Sequence, residues 1–303
     1  MLNSSISYYS LKNCLCFLSL IIGSNQFAQN GLLDSAQKLC LEKKYDLAIP
    51  IIDKVILDPE TKLNAGSWSI RAIAYFQSYK SIGKYDVSKI SLIDTALSST
   101  YISMKLDITN DRLENNKILV KSIAGVYYNL SSVLLKDSLN SVLSEKYYLR
   151  YKKMTTQLNP SFDFKEKDIE YYRSSGSIFL DLYMQKNFNQ EFGEIAKTSL
   201  IKVLDINPKD ISANINLGVF YYNQGATLMR LSDYTTDLVQ LGLVQDNALK
   251  LFKQAEPFML RVHVADPKEI TAIEGLEGIY VALLDEVKAN EFKIKKEALI
   301  KKQ

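Results

Sequence analysis

The sequence contains little glycine, proline, histidine and cysteine. Twelve glycines and six prolines in 303 residues are about half of the usual share, which excludes collagen-like and low-complexity chains and disfavours a sheet protein built on tight turns. A single histidine, His263, excludes a histidine-rich metal site and leaves most acid–base mechanisms without a catalytic group. A large excess of charge of one sign is also missing, since the chain has 37 basic and 34 acidic residues. The composition therefore gives no reason to expect nucleic acid as a partner.

The first thirty residues have the organisation of a secretory signal. Lys12 precedes an apolar run over residues 14–22, and the small residue Ala28 follows after a polar stretch. A run of this length is well short of the about 20 residues that a membrane-spanning helix needs. The order of the segments is that of a cleaved signal peptide. We expect a signal over residues 1–28, cleavage after Ala28, and export to the periplasm or cell envelope of a bacterium. We expect no membrane-spanning helix in the remaining chain.

Two of the three cysteines, Cys14 and Cys16, lie in this leader. They stand at the front of the apolar run, whereas bacterial lipoprotein signals carry their cysteine just behind it, so we expect no lipid anchor. Cleavage would leave Cys40 alone, and one thiol cannot form an internal disulfide. Cys40 falls inside an apolar helical pattern and is expected to be a small buried hydrophobic residue.

A helix-pair pattern recurs through the rest of the chain. A first helix shows a large apolar residue, a small residue and then a tyrosine, as in Leu217, Gly218 and Tyr221. Small residues let two helices approach closely, and proline ends a helix. The same first-helix positions recur at Ile123, Ala124 and Tyr127, and with Trp68 at Ala72 and Tyr75, while second helices end at Pro59, Pro160, Pro208 and Pro267.

On these residues the chain resembles the tetratricopeptide repeat (TPR) family. The resemblance implies an all-α fold over residues 29–303, an α-solenoid of about six antiparallel helix pairs stacked in a right-handed superhelix. The spacing also predicts irregular inserts near 98–116 and 226–245, the second built of extended helix and a loop. A basic stretch over 287–303 is expected to form a capping helix.

The resemblance also implies where a partner would bind, because TPR first helices line a concave groove that holds segments of other proteins. Aromatic, apolar and amide groups at these positions suit an extended or helical peptide. For the two tyrosines an alternative stays open, in which their rings only pack between adjacent repeats. The positions that match the groove are Phe76, Gln77, Tyr128, Asn129, Ile215, Val219, Tyr222 and Asn223.

Motifs that carry chemistry are missing from the sequence: it has no Gly-rich phosphate loop, no metal-ligand spacing and no nucleophile elbow. We therefore expect a non-enzymatic exported scaffold, without cofactor or metal, that binds a protein or peptide partner in its groove. The alternative is a cell-envelope protein that binds a carbohydrate or small ligand on exposed rings, Trp68 included, on the same TPR-like scaffold.

Overall fold

The computed structural model describes residues 31–83, 85–137, 141–186, 188–231 and 237–301. The predicted signal peptide over 1–28 lies outside these residues. Within them every regular element is helical, with twelve α-helices and three short 3-10 helices. The α-helices are α1 (Gly31–Leu41), α2 (Tyr45–Val55), α3 (Ala65–Ser81), α4 (Ile90–Leu106), α5 (Leu113–Leu135), α6 (Ser144–Leu158), α7 (Lys165–Gln185), α8 (Gln190–Ile206), α9 (Ile211–Leu231), α10 (Leu238–Ala265), α11 (Ile270–Ala282) and α12 (Glu286–Ile300).

The helices pair as six successive hairpins, three in each of two compact units, Met1–Phe162 and Asp163–Gln303. Within a unit, the second helix of one hairpin packs against the first helix of the next, and the first helices also contact one another. No hairpin buries its apolar face alone, which is the property of a helical repeat. The all-α helical-repeat class predicted from the sequence is confirmed.

The same turn ends three of the second helices. Asn159, Asn207 and Asp266 follow α6, α8 and α10 with φ of −141°, −133° and −136° and ψ of 94°, 88° and 94°. A proline comes next in each case and forces this extended conformation on the residue before it. Each side-chain oxygen accepts a hydrogen bond from the amide two residues on, in Ser161, Lys209 and Lys268.

The predicted irregular segment over 98–116 is helical at both ends. Helix α4 continues to Leu106 and α5 begins at Leu113. The turn between them shares its backbone hydrogen bonds with the turns just described, but Asp107 has φ of −83° and ψ of 74°, and its carboxylate accepts from the amide of Arg112. The Asp107 amide donates to the Ser103 carbonyl at 3.0 Å, and the Asp107 carbonyl accepts from the Asn110 amide at 3.2 Å. Ile108 stands where the other turns carry proline, so no proline marks this helix end in the sequence.

Buried hydroxyl groups explain why α4 looks irregular in sequence. Thr100 and Ser103 are fully buried, yet each has a carbonyl partner: Thr100 donates to Ala96 at 2.8 Å and Ser103 to Ala65 at 2.9 Å. Because these bonds satisfy the hydroxyls, a polar face can pack in the interior. Successive first helices begin 34 residues apart at the first hairpin and 46 to 59 residues apart at the later ones, against about 34 for a TPR repeat.

The second predicted insert, 226–245, consists largely of two lengthened helices. Helix α9 reaches Leu231 and α10 begins at Leu238, while residues 232–236 lie outside the described chain. Helix α12 occupies most of the predicted capping segment and packs on α11. Its Phe292 enters the core formed with α10 and α11.

A tyrosine hydroxyl joins consecutive hairpins at three places. Tyr75 on α3 donates to Asp53 on α2 at 2.6 Å, and Tyr280 on α11 donates to Glu256 on α10 at 2.8 Å. Tyr127 on α5 does the same with Asp94 on α4. Burial, assisted by the carboxylate, raises the pKa of all three phenols, that of Tyr75 to about 12.

A cation lies over each of these rings. Arg71, Arg150 and Lys288 stand 4.8, 4.6 and 4.8 Å from the ring centroids of Tyr75, Tyr127 and Tyr280. Each arginine also pairs with the same carboxylate as its tyrosine, at 2.7 Å. We call each such carboxylate–tyrosine–cation set a latch, since it holds one hairpin to the next.

Candidate binding surface

Helix α5 presents an open stripe of residues one helical turn apart. Lys121, Gly125, Tyr128 and Ser132 follow the i, i+4, i+7, i+11 spacing of a single helix face. Lys121 and Ser132 are exposed, and Gly125 and Tyr128 are half-buried. With the neighbouring Asn129, these residues are called the α5 face. At 1.5 Å per residue the stripe is about 16 Å long.

Gly125 marks the middle of the α5 face. A Cβ atom placed on it would meet no atom of the described residues within 4 Å. Glycine inside a helix costs about 1 kcal/mol relative to alanine. At Gly176 and Gly218 packing offsets this cost, because a Cβ there would come within 2.5 Å of Leu200 and 2.7 Å of Met259. Among the described neighbours nothing packs on Gly125, which leaves helix backbone open to close approach by another molecule.

The ring of Tyr128 is oriented by helix α6. Its centroid lies 5.0 Å from that of Tyr151 and 6.3 Å from that of Tyr148, both in tilted geometry. Tilted pairs of this kind are favourable because ring edges and faces carry opposite partial charge. Tyr128 is therefore held in place while a smaller part of it stays accessible beside Gly125.

Asn129 is held by a residue that the sequence did not indicate. Its side-chain amide donates to the hydroxyl of Tyr85 at 2.6 Å, and Tyr85 is 43% exposed. Tyr85 lies in the connection between α3 and α4, 44 positions earlier, so no spacing rule could have paired the two. Together they place an amide and a phenol at the edge of the α5 face, where both can exchange hydrogen bonds with a peptide backbone.

Phe76 and Gln77, predicted to line the groove, lie in the interior. Phe76 is 3% and Gln77 is 8% exposed, and Phe76 belongs to the core shared by α3 to α6. Helix α3 has hairpins on both sides and contacts α1, α2, α4 and α5. These neighbours cover the face on which the two residues lie.

The predicted positions on α9 are mostly used for packing. Ile215, Val219 and Tyr222 are half-buried against the core of α10, α11 and α12. The Tyr222 ring lies 5.4 Å from that of Phe252 on α10, and its hydroxyl lies 2.9 Å from where a Cβ on Gly278 of α11 would stand. For Tyr222 the geometry favours the alternative of packing between adjacent hairpins.

Asn223 lies beside these residues and contacts helix α7. Its amide nitrogen is 3.3 Å from the sulfur of Met184, a weak acceptor. Of the eight predicted positions, Tyr128 and Asn129 are thus the two that the structure brings together around open backbone.

Other reactive groups of the described chain lie in packed surroundings. Burial raises the pKa of the Cys40 thiol to about 12, so it stays protonated and unreactive at neutral pH, as the sequence predicted for a buried cysteine. Over the described residues no three His, Cys, Asp or Glu side chains are grouped closely enough to hold a metal ion.

Helix α5 is long and apolar enough to cross a bilayer by length and composition, unlike the other described helices. In its most apolar window, however, 56% of the residues are buried inside the protein. Its Tyr127, Ile123 and Leu130 are fully enclosed by neighbouring helices. The apolar character of α5 is accounted for by its central place in the core of the first unit.

The comparisons with known proteins show a similarity in fold class only. No protein-family model and no curated protein matches the chain. Two similar solved structures are helical-repeat proteins. One is a monomeric mutant of IFIT1 with Gppp-AAAA, with a TM-score of 0.37 and 16% identity over 94% of this chain and 53% of that one. The other is the nuclear import adaptor Nro1 of S. pombe, with a TM-score of 0.36 and 13% identity over 99% and 94%. The chain spans about half the length of the IFIT1 chain.

Proposed function

We propose that this protein is a non-enzymatic, TPR-like scaffold that binds a protein or peptide partner through the α5 face. The observation that carries the proposal is Gly125, a helix-weakening residue for which the described chain offers no packing reason. A glycine at such a place lets another backbone approach the helix closely. The α5 face therefore has the steric opening that a docked chain requires.

The groups around Gly125 suit a peptide. The stripe from Lys121 to Ser132 is about as long as five residues of extended chain. Tyr128 offers a ring held in position, and Asn129 with Tyr85 offers hydrogen-bonding groups for main-chain amides. Lys121 adds one positive charge, while Lys117 one turn earlier is paired with Glu114 at 2.8 Å. We expect an acidic or neutral partner segment with an apolar anchor beside Tyr128.

We further propose that the protein is exported to the periplasm or cell envelope of a bacterium. The support is the signal-like pattern over residues 1–28. Intact-mass and N-terminal mass spectrometry of the native protein from fractionated cells measures this directly. A chain that begins near residue 29 in the envelope fraction is expected, and a full-length chain in the cytosol would contradict export.

The binding proposal is tested by filling the space above Gly125. Photo-crosslinking from Ser132 in the native envelope identifies the bound partner, and the affinity of that partner for purified protein is then measured. Gly125→Leu should weaken it at least tenfold, because the new side chain occupies the place of the partner backbone, while helix content is unchanged or higher. Val133→Ala, exposed on the same helix but off the stripe, is the matched control and should bind normally.

Equal affinity of the wild type and Gly125→Leu would refute the proposed surface. If the protein captures a glycan in place of a protein, and Tyr128→Ala abolishes that binding, the carbohydrate alternative would replace the peptide proposal.

A further inference from the structure

Helix α6 turns toward solvent a face on which apolar and basic side chains alternate. Lys146, Leu149 and Lys153 follow the i, i+3, i+7 spacing of one helix face. Leu149 is 51% exposed, and both lysines are exposed. Val142 and Leu143, in the short 3-10 helix that leads into α6, are 51% and 41% exposed. We call these five residues the α6 outer face.

This surface continues from α6 onto α4. The Tyr101 hydroxyl on α4 donates to Oε1 of Gln157 on α6 at 2.8 Å, and Arg150 on α6 pairs with Asp94 on α4 at 2.7 Å. Tyr101 is itself 38% exposed, and Lys105 is exposed one turn after it. The two helices therefore present these side chains on one connected surface.

The lysines of this surface lack the carboxylate partner that exposed lysines have on other helices. On α5, for example, Glu114 pairs with Lys117 at 2.8 Å, three residues away. Within the part of the chain that the structure describes, no carboxylate pairs with the three lysines of this surface, which are Lys105, Lys146 and Lys153. Their charges are therefore available to an anionic partner.

Acidic groups close to the surface are few. The Asp94 carboxylate is already paired with Arg150. Asp137 and Glu145 are half-buried, and Glu145 stands about 100° around the helix from its neighbour Lys146. The surface therefore carries a net positive charge, although the whole chain is close to neutral.

We propose that the α6 outer face binds the surface of an anionic phospholipid bilayer, with Tyr101 and Lys105 of α4 at its edge. The lysine ammonium groups meet the lipid phosphates, while Leu149, Val142 and Leu143 enter the boundary between headgroups and acyl chains. Helix α6 lies along the membrane surface and does not span it.

The alternation of charge and apolar surface favours a bilayer over an acidic protein segment. Cations alone attract acidic side chains, and leucine and valine between the lysines add nothing to that attraction. At a bilayer the apolar groups leave water, and each lysine reaches the headgroups with its ammonium while its methylene chain covers apolar surface. Tyr101 combines the apolar ring and polar hydroxyl that suit the same boundary.

The proposal is independent of the α5 face. Tyr148 and Tyr151, whose rings hold Tyr128 in place, follow Lys146 and Leu149 by two residues. They therefore lie about 200° around α6 from the outer face. A lipid surface on one side of α6 leaves the α5 face on the other side open.

Few groups take part, so binding should be reversible and should depend on salt. The attraction between exposed lysines and anionic lipids falls off within a Debye length, which is about 10 Å at 0.1 M salt and about 3 Å at 1 M. We expect binding at low salt that weakens strongly as salt is added.

Flotation of the purified native protein with phospholipid vesicles tests the proposal. Vesicles of phosphatidylglycerol and phosphatidylcholine in equal parts should carry the protein at low salt, and vesicles of phosphatidylcholine alone should carry little of it. Lys146→Glu combined with Lys153→Glu should lower the ratio of bound to free protein at least about tenfold. Leu149→Ser should lower it about threefold or more, because an apolar contact is lost.

A pair of lysines on α10 provides the matched control. Lys250 and Lys253 are exposed and pair with no carboxylate of the described residues, so Lys250→Glu combined with Lys253→Glu gives the same change in net charge. This variant should float like the wild type, and circular dichroism verifies that all variants stay helical. Equal losses in the two lysine pairs would show attraction to net charge and would refute the α6 outer face.

A tryptophan probe tests whether α6 enters the bilayer. The emission of Leu149→Trp, after subtraction of the Trp68 signal of the wild type, should shift to the blue with anionic vesicles. Ile201→Trp on α8, at a position that is 40% exposed, should show no shift. A protein that does not float with anionic vesicles, or that binds polyglutamate in their place, would overturn the proposal.

Discussion

Helices α5 and α9 match each other in sequence and differ in how their surfaces are used. Tyr127 and Tyr128 correspond to Tyr221 and Tyr222. Tyr127 is fully buried in a latch with Asp94, whereas Tyr221 is half-buried and stacks on Phe258 with centroids 5.8 Å apart. Tyr128 packs toward its own hairpin partner α6, whereas Tyr222 packs on its own partner α10 and also against Gly278 of the next hairpin.

The hairpin that follows within the same unit explains much of this difference. Helix α9 is followed by α11 and α12, whose core takes up Ile215, Val219 and Tyr222. On helix α5, by contrast, a Cβ on Gly125 would meet no described atom within 4 Å. One sequence pattern therefore supplies either a packing face or an open face, and the pattern by itself cannot say which.

Leucine substitutions at the glycines of the two helices should separate these roles most strongly. Gly218→Leu should lower the free energy of unfolding by about 2–3 kcal/mol, because overpacking forces buried Met259 out of place. Gly125→Leu should leave it unchanged or raise it by up to about 1 kcal/mol through helix propensity. Urea denaturation of both variants measures the two effects. A large loss at Gly125 would show that its surroundings are packed and would remove the argument for the α5 face.

Removing single tyrosine hydroxyl groups should give the next largest loss in the free energy of unfolding. Tyr127→Phe should cost about 1–2 kcal/mol, because the buried hydrogen bond to Asp94 is lost. Tyr75→Phe and Tyr280→Phe, in the other two latches, should cost similar amounts. Tyr221→Phe is the matched change outside a latch and should cost less. Equal losses at Tyr127 and Tyr221 would mean that the latches do not hold the hairpins together.

Mild acid should produce the smallest loss of stability, and only in the second unit, Asp163–Gln303. Burial, followed by the positive charge of Lys295, lowers the pKa of His263 below its usual 6.5. The Lys295 ammonium lies 3.3 Å from Nε2, Glu291 pairs with Lys295 at 2.8 Å, and Phe292 packs edge-on against the ring. The Glu291 carboxylate acts in the opposite direction but is the weakest of the three influences.

The sign of the pH effect follows from that lowered pKa. The unfolded chain takes up a proton near pH 6.5 and the folded chain only at lower pH, so the contribution of His263 is complete above 6.5 and is lost as the pH falls through the folded pKa. The protection factors of the α12 amides, which correct for the slower intrinsic exchange at lower pH, should fall between pH 6.5 and 5, while those of α2 to α5 should not. His263→Gln should remove the difference, and NMR titration of this single imidazole should give a pKa below 6.5. A pKa above 6.5 would contradict the account.

The sequence predicted the hairpins well because their signals are local. The proline turns after α6, α8 and α10 and the small residue at Gly218 each act within a few residues of the chain. The turn at Asp107 was missed because it forms without proline, and the hydroxyl-rich face of α4 was missed because its partners are carbonyl groups.

The candidate site could be predicted only in part, since it depends on which faces neighbours cover. Phe76 and Tyr222 fit the pattern of groove residues, yet adjacent helices enclose Phe76 and cover part of Tyr222. The partners of the tyrosines, Asp53, Asp94 and Glu256, lie on the preceding hairpin, and Tyr85 reaches Asn129 from a distant connection. None of these pairings follows a fixed spacing along the chain.

Crosslinking from matched positions on the two helices tests the central claim most directly. A photo-reactive residue at Ser132 on α5 occupies the same place in the pattern as one at Ala226 on α9. With the partner present in the native envelope, the account predicts a partner crosslink from position 132 that disappears in Gly125→Leu, and none above background from position 226. A crosslink from position 226 alone, or one from position 132 that is indifferent to Gly125→Leu, would contradict it.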